Sequence, residues 1–229
     1  MRNLASLLFA GGLGFLLMVF GLQFDFGNAP MLVGQAIQSA APEQVGAANI
    51  VTAVVLGYRG IDTLGELAIL FAASTAVGLI LGHRHTSTKP DPDSGLILRA
   101  GGELLMPLLL VVGLYIILHG HLTPGGGFQG GVILAAAFFI PVLARPSTPL
   151  KHTGMMLIEG FSGAAFILIG LAALYSGGEF LQPLLDKGTL GNLVSAGTLP
   201  LLYLAVGLKV GAELAGLLAH LAAAEVSES

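Results

Sequence analysis

Glu66, Glu103, Glu159, Lys209 and Glu213 each stand inside a stretch of otherwise apolar residues, where an ionisable side chain needs a reason to be retained. At the centre of a bilayer such a group costs about 2.5–3.5 kcal/mol on insertion scales. Two kinds of chemistry repay that cost. The groups can relay protons or attract cations through the membrane, or they can neutralise one another and lock helices together. Helical spacing sharpens the pattern, because residues three or four apart share a face. Lys209 aligns with Glu213 and Arg99 with Glu103, whereas Glu159 has no charged residue three or four positions away and implies a partner on another helix or subunit. Arg59, Asp62 and Glu66 align if the helix extends back past Gly60. Arg99 and Glu103 lie close to the end of their run, where long side chains reach the interface, so neutralisation is the simpler reading there.

The elements that must carry these groups are membrane spans. The chain has 229 residues, of which 55% are hydrophobic and only 10% charged, too few charges to cover a water-soluble fold of this size. A 30 Å hydrocarbon core takes about 20 apolar residues in a helix. Six runs reach or approach that length: Leu4–Leu22, Thr63–Gly82, Leu96–His119, Gly130–Ala144, Gly154–Ser176 and Leu199–His220. The fourth is short unless the glycines before it contribute. Val45–Tyr58 is apolar but too short to span, and reads as a re-entrant or interfacial helix. The fold class expected is therefore an all-α integral membrane protein with about six transmembrane helices and one short additional helix. The first run is too long for a signal peptide, and no convincing small-x-small cleavage site follows it.

Charge placement orients the spans. With the N-terminus in the cytoplasm, Arg2, Arg84, Lys89, Arg99, Arg145 and Lys151 fall inside and only Arg59 and Lys187 outside, as the positive-inside rule requires. Both termini of a multi-pass protein of the cytoplasmic membrane are then expected in the cytoplasm. Residues 83–95, HRHTSTKPDPDSG, are the most polar connector and the expected module boundary, with modules at 1–82 and 96–220 and a polar tail at 221–229.

Several classes are excluded. A net charge of −4 with no basic run offers nothing to nucleic acid. Cysteine is absent, so no iron–sulfur cluster, thiol chemistry or disulfide is expected of this chain. No histidine lies well inside a run to serve haem, and the pairs His83/His85 and His119/His121 are spaced two apart, which suits no shared helix face for a metal. No cofactor, metal or enzymatic activity is expected, and no connector is long enough to fold into a soluble domain that could supply one.

His119–Gly131 reads HGHLTPGGGFQGG. Gly125, Gly127 and Gly130 formally fit a dinucleotide-binding pattern, but a membrane helix precedes them instead of a strand, and no acidic residue follows at the required distance. Pro124 fixes the entry to a tight turn, Gly125, Gly126, Gly127, Gly130 and Gly131 let it close or approach a neighbour, and Phe128 and Gln129 anchor it by packing and hydrogen bonding. Unwound backbone of this kind also serves ion sites in transporters. Small-xxx-small spacings at Gly78/Gly82, Gly126/Gly130, Gly127/Gly131 and Gly207/Gly211 suggest close helix packing without naming the neighbour.

Two of these segments together resemble a known family. HGHLTPGGGFQGGVILAA at His119–Ala136 and GLKVGAELAG at Gly207–Gly216 are similar to the B subunit (MnhB-like domain) of Mrp-type multisubunit cation/proton antiporters, also present in the membrane arms of related hydrogenases. NIVTAVVLGYRGIDTLGELAIL at Asn49–Leu70 resembles the C-terminal end of the A subunit, or the small subunit that replaces it in those hydrogenases. The resemblance implies a fusion of two modules across 83–95. It also implies a role in passing Na+ or H+, and partners that are other subunits of such a complex within the lipid bilayer. Its RG-x-DT-x-x-E pattern falls on Arg59, Gly60, Asp62, Thr63 and Glu66, which makes Glu66 the leading ion-path residue. One departure stands out: the resemblance leads us to expect an acidic residue two before the arginine, and here that residue is Gly57.

Overall fold

In the computed structural model, residues 2–23, 31–81, 95–144 and 152–226 are described. Most of the connector 83–95, with Arg84 and Lys89, lies outside them, as do Gly82, Arg145, Lys151 and the last three residues. The secondary-structure elements among the described residues are all helices, with no strand. They separate into Met1–Ala36 and Ile37–Ser229. The first unit carries α1 (Arg2–Gln23), whose Leu4–Gln23 stretch is apolar enough to cross a membrane, and the opening turn of α2 (Leu32–Gln44).

The second unit contains the rest of α2, the short α3 (Ile50–Thr52) running into a π-helical stretch at Ala53–Tyr58, and α4 (Gly60–Leu81). It continues with α5 (Gly95–Leu118), α6 (Gly127–Ala144), α7 (His152–Tyr175) and α8 (Leu199–Val226). Among the described residues five helices are long and apolar enough to span, and Gly127–Leu143 is shorter. The glycine run does contribute to that fourth predicted span, since α6 starts at Gly127 and its 18 residues reach about 27 Å. The short apolar piece differs from its predicted range. Val45–Asn49 is not helical; the helix opens at Ile50, where the Asn49 side chain accepts from the Val51 N–H. Ahead of it, α2 was not signalled by any apolar run, because Gln35, Gln38, Ser39 and Pro42 interrupt its pattern.

α8 is the axis of this unit. α4, α6 and α7 pack against it, and α5 packs on α6. Glycine explains how closely α6 and α8 approach. A Cβ at Gly131 would stand 2.8 Å from Val210 Cβ and 2.9 Å from the Gly207 carbonyl oxygen, and one at Gly127 would meet Val206 and the Tyr203 carbonyl. Gly207 and Gly211 face back toward the carbonyls of Gly127 and Gly131. Three of the four predicted spacings are therefore packing contacts, whereas Gly78 has open space around it. Gly131→Ala is expected to destabilise the chain by about 1–3 kcal/mol through overpacking. Gly11→Ala, set in open space on α1, adds the same helix propensity without a clash. Thermal unfolding of the two variants in detergent checks this.

Candidate functional site

Three connecting regions meet at one end of the second unit. Asn49 donates through Nδ2 to the carbonyls of Gly120 and Thr123 at 2.8 and 2.9 Å, and its N–H donates to the His121 carbonyl. Lys187, in the long segment between α7 and α8, donates to the Glu43 carbonyl. The Tyr203 hydroxyl donates to Thr52 Oγ1, which donates to the Gly120 carbonyl, both at 2.6 Å. Gly126, at φ +137°, lies directly over the Tyr203 ring, where any Cβ would come within 2.9 Å of it. The glycine loop is thus a tight turn docked on α3 and α8, with its carbonyls engaged by hydrogen bonds.

Beneath that closure is a cavity of about 240 Å³. Val51, Val55 and Leu56 from the α3 and π-helical stretch, Thr63 and Glu66 from α4, Gly125, Phe128 and Gln129, and Tyr203 and Val206 from α8 line it. Glu66, an exposed residue of α4, and exposed Gln129 contribute to its open side, whereas Thr63 and Tyr203 line it from the buried side. Thr63 Oγ1 donates to the Val55 carbonyl at 2.7 Å, tying the π-helical turn to α4. π-helical turns free backbone groups and often accompany functional sites. The turn also ends before the helix that would align Arg59 with Asp62 and Glu66. Arg59 precedes α4 rather than extending it, and it pairs with Asp62 at 2.5 Å on an exposed part of the chain. Neither residue lines the cavity. The missing acidic residue at position 57 has a steric counterpart: a Cβ on Gly57 would stand 3.0 Å from Val45 Cγ1, so a larger side chain would have to displace buried Val45.

One and two turns beyond Val206 on α8 are Lys209 and Glu213. Lys209 Nζ stands 3.1 Å from Glu213 Oε2 and 3.7 Å from Glu159 Oε1 on α7, and 5.0 Å from the centre of the Phe71 ring on α4. The cation is thus held between three helices. Glu213 is fully buried, and its Oε1 has no hydrogen-bond partner among the described residues. Along α8 the polar positions Tyr203, Lys209 and Glu213 extend about 15 Å, half the thickness of a hydrocarbon core. Glu103 is carried by α5 on a surface the chain leaves open.

Asn49, Thr52 and Tyr203 were not singled out by the sequence, and His121 was weighed there only as a metal ligand. Asn49 had a readable signal, a capping residue before an apolar run. His121 is buried; its Nε2 donates to the Asn192 carbonyl at 3.3 Å, and Nδ1 has no partner among the described residues. Burial, with the nearby His119 adding to it, lowers its pKa below the usual imidazole value of about 6.5, against the opposing hydrogen bond to Asn192. An open form would therefore take up the proton first. This loop junction should keep its full stability above about pH 6.5 and lose it as the pH falls toward the folded value. Amide exchange at residues 120–123 and 192–195 should accelerate on going from pH 7.5 to 5.5 after correction for intrinsic rates, and the acceleration should vanish in His121→Phe.

Comparison with known proteins places the chain among membrane-complex subunits. Residues 97–216 match the family described as a domain related to the MnhB subunit of Na+/H+ antiporters. An uncharacterized protein of Methanocaldococcus jannaschii is 32% identical over 226 residues, covering 87% of this chain and 85% of that one. A chain of the archaeal membrane-bound sulfane sulfur reductase, a respiratory membrane complex, superposes with a TM-score of 0.82 at 36% identity, over 96% of this chain and 97% of that chain. A chain of the Mrp complex from Dietzia sp. DQ12-45-1b superposes with a TM-score of 0.77 at 26% identity, over 96% of this chain and 26% of that chain.

Proposed function

Because the chain belongs to the family of domains related to the MnhB subunit of Na+/H+ antiporters, we propose that it lends its cavity and buried charges to cation or proton passage in a larger complex. It is a multi-pass membrane subunit of an antiporter-type complex. The observation that carries the finer reading is Glu66 in a cavity between α4, α6 and α8. A carboxyl at the accessible edge of a cavity that Thr63, Gln129 and Tyr203 also line can exchange a proton or a cation, whereas one sealed in a dry pair cannot. Sodium and protons are the ions read from the family description. Lys209, Glu159 and Glu213 set the electrostatic potential deeper along α8, and Arg59 and Asp62 do so at the entrance to α4. Both termini are taken as cytoplasmic, so the end built from residues 45–58, 119–126 and 177–198 faces outward. The modules are read as 1–82 and 96–220; a single chain of the Mrp complex aligning with nearly all of this one supports such a continuous arrangement.

Long antiporter-like subunits are needed as partners, because this chain has too few buried charges for a coupled cycle on its own. Everted vesicles carrying the whole complex test the reading. Glu66→Gln should abolish cation-driven proton exchange while the subunits remain assembled, and unchanged exchange would leave only a scaffold.

The end-to-end likeness to a chain of a respiratory membrane complex favours a second setting, the membrane arm of a redox-driven pump. Iron analysis of the purified native complex separates the two. Iron-bearing partner subunits would favour the redox pump, since this chain has no cysteine to hold a cluster.

A further inference from the structure

The Lys209 group contains one ammonium and two carboxylates. The ammonium stands closer to Glu213 than to Glu159, and the Phe71 face beside it attracts cations without supplying one. Glu213 is closed off, with Oε1 unpartnered among the described residues, so the ammonium cannot be released to the other carboxylate without cost. Glu159 differs. Its side chain is 24% exposed at the surface of α7, beside Gly160, where open space takes the place of a side chain, and beside the outward-facing Phe161. α4 and α7 pack chiefly on α8 rather than on each other, so Lys209 forms the floor between them and Glu159 the lip.

We propose that this part of α7 receives a membrane helix of a neighbouring subunit, and that the helix brings a lysine or arginine side chain to Glu159. Two features of the surface select that partner. A carboxylate whose one counter-ion among the described residues is shared with Glu213, partly exposed on a membrane-spanning helix, calls for a positive group that acyl chains cannot supply. Gly160 lets a second backbone come close enough for a side chain from it to reach Glu159. The chains of like fold come from multisubunit membrane complexes, in which such a surface has neighbours to meet. The proposal needs no ion to move, and so it stands or falls separately from the role given to Glu66.

The test uses the native complex purified in mild detergent, with its subunit content measured by native mass spectrometry. Glu159→Lys should lower retention of the neighbouring subunit by about tenfold or more, and Glu159→Gln by less, with the thermal unfolding of this chain lowered only slightly in the latter. A lysine- or arginine-to-glutamate change in the neighbour should restore retention to Glu159→Lys. Full retention in both variants would overturn the proposal. So would restoring changes that map only to this chain's own Lys89 or Lys151. So would an infrared band of a protonated carboxyl at neutral pH that Glu159→Gln removes, because a proton would then be supplying the balance.

Discussion

Lys209→Ala is expected to be the most destabilising single substitution among the buried charges. The lysine is 10% exposed and its partner Glu213 not at all, so removing the ammonium leaves a carboxylate with no compensation in the interior. Breaking a buried pair from one side costs about 3–5 kcal/mol. Replacing both partners with apolar residues of similar volume should cost much less, since the desolvation of the charges is recovered at the same time. Lys209→Met with Glu213→Leu is therefore expected to be more stable than Lys209→Met alone, with a coupling of about 2 kcal/mol in a double-mutant cycle. Unfolding of the detergent-solubilised chain gives the four values needed. Glu159→Gln should couple to Lys209 more weakly, because its oxygen stands at 3.7 Å and it is partly exposed. Additive effects at all three positions would mean that the short distances carry no energy.

Glu66→Gln is expected to have the largest effect on transport. The substitution keeps the volume of the side chain and a hydrogen-bonding group in the cavity, and it removes only the proton-exchanging and cation-attracting oxygen. A positioned proton-transfer group contributes about 10²- to 10⁴-fold to a rate, and cation-driven proton exchange should fall by at least the lower figure. Glu66→Asp should retain part of the activity, because the carboxylate persists but is drawn back by one methylene toward α4. Arg59→Ala and Asp62→Ala should give milder effects, since their ion pair is exposed and lies outside the cavity lining. Initial rates of proton flux across a range of cation concentrations, normalised to assembled complex, would establish the order.

What the sequence made legible follows from how far apart the interacting residues are along the chain. The six spans came from uninterrupted apolar length, a property of local composition. Lys209 and Glu213 came from a four-residue spacing on one helix, which geometry converts directly into contact. The partner of Glu159 did not, because it lies 50 positions later on a different helix, and no local period encodes such a pairing. The same holds for Tyr203 with Thr52, separated by 151 residues. The glycine spacings were readable as close-approach surfaces, yet only the fold shows that the 127/131 pair seats Val206 and Val210 of α8. The condition for aligning Arg59, Asp62 and Glu66, a helix reaching back past Gly60, is not met because the π-helical turn ends there, although Arg59 still pairs with Asp62. Nothing in the apolar pattern of Val51–Tyr58 distinguishes five-residue from four-residue hydrogen bonding. α2 went unseen because its polar residues hide the apolar face that buries Ala41.

The central claim is that water and a small cation reach the carboxyl of Glu66 in the working complex. The natural absence of cysteine allows a clean measurement of that access. Cysteine is placed at position 66 by Glu66→Cys, and the assembled complex in sealed membranes is exposed to a small, positively charged, membrane-impermeant thiol reagent. The account predicts that the thiol is modified from at least one aqueous side, and that an excess of the coupling cation slows the modification. A thiol that resists this reagent on both sides, yet reacts with a neutral lipid-soluble one, would contradict it.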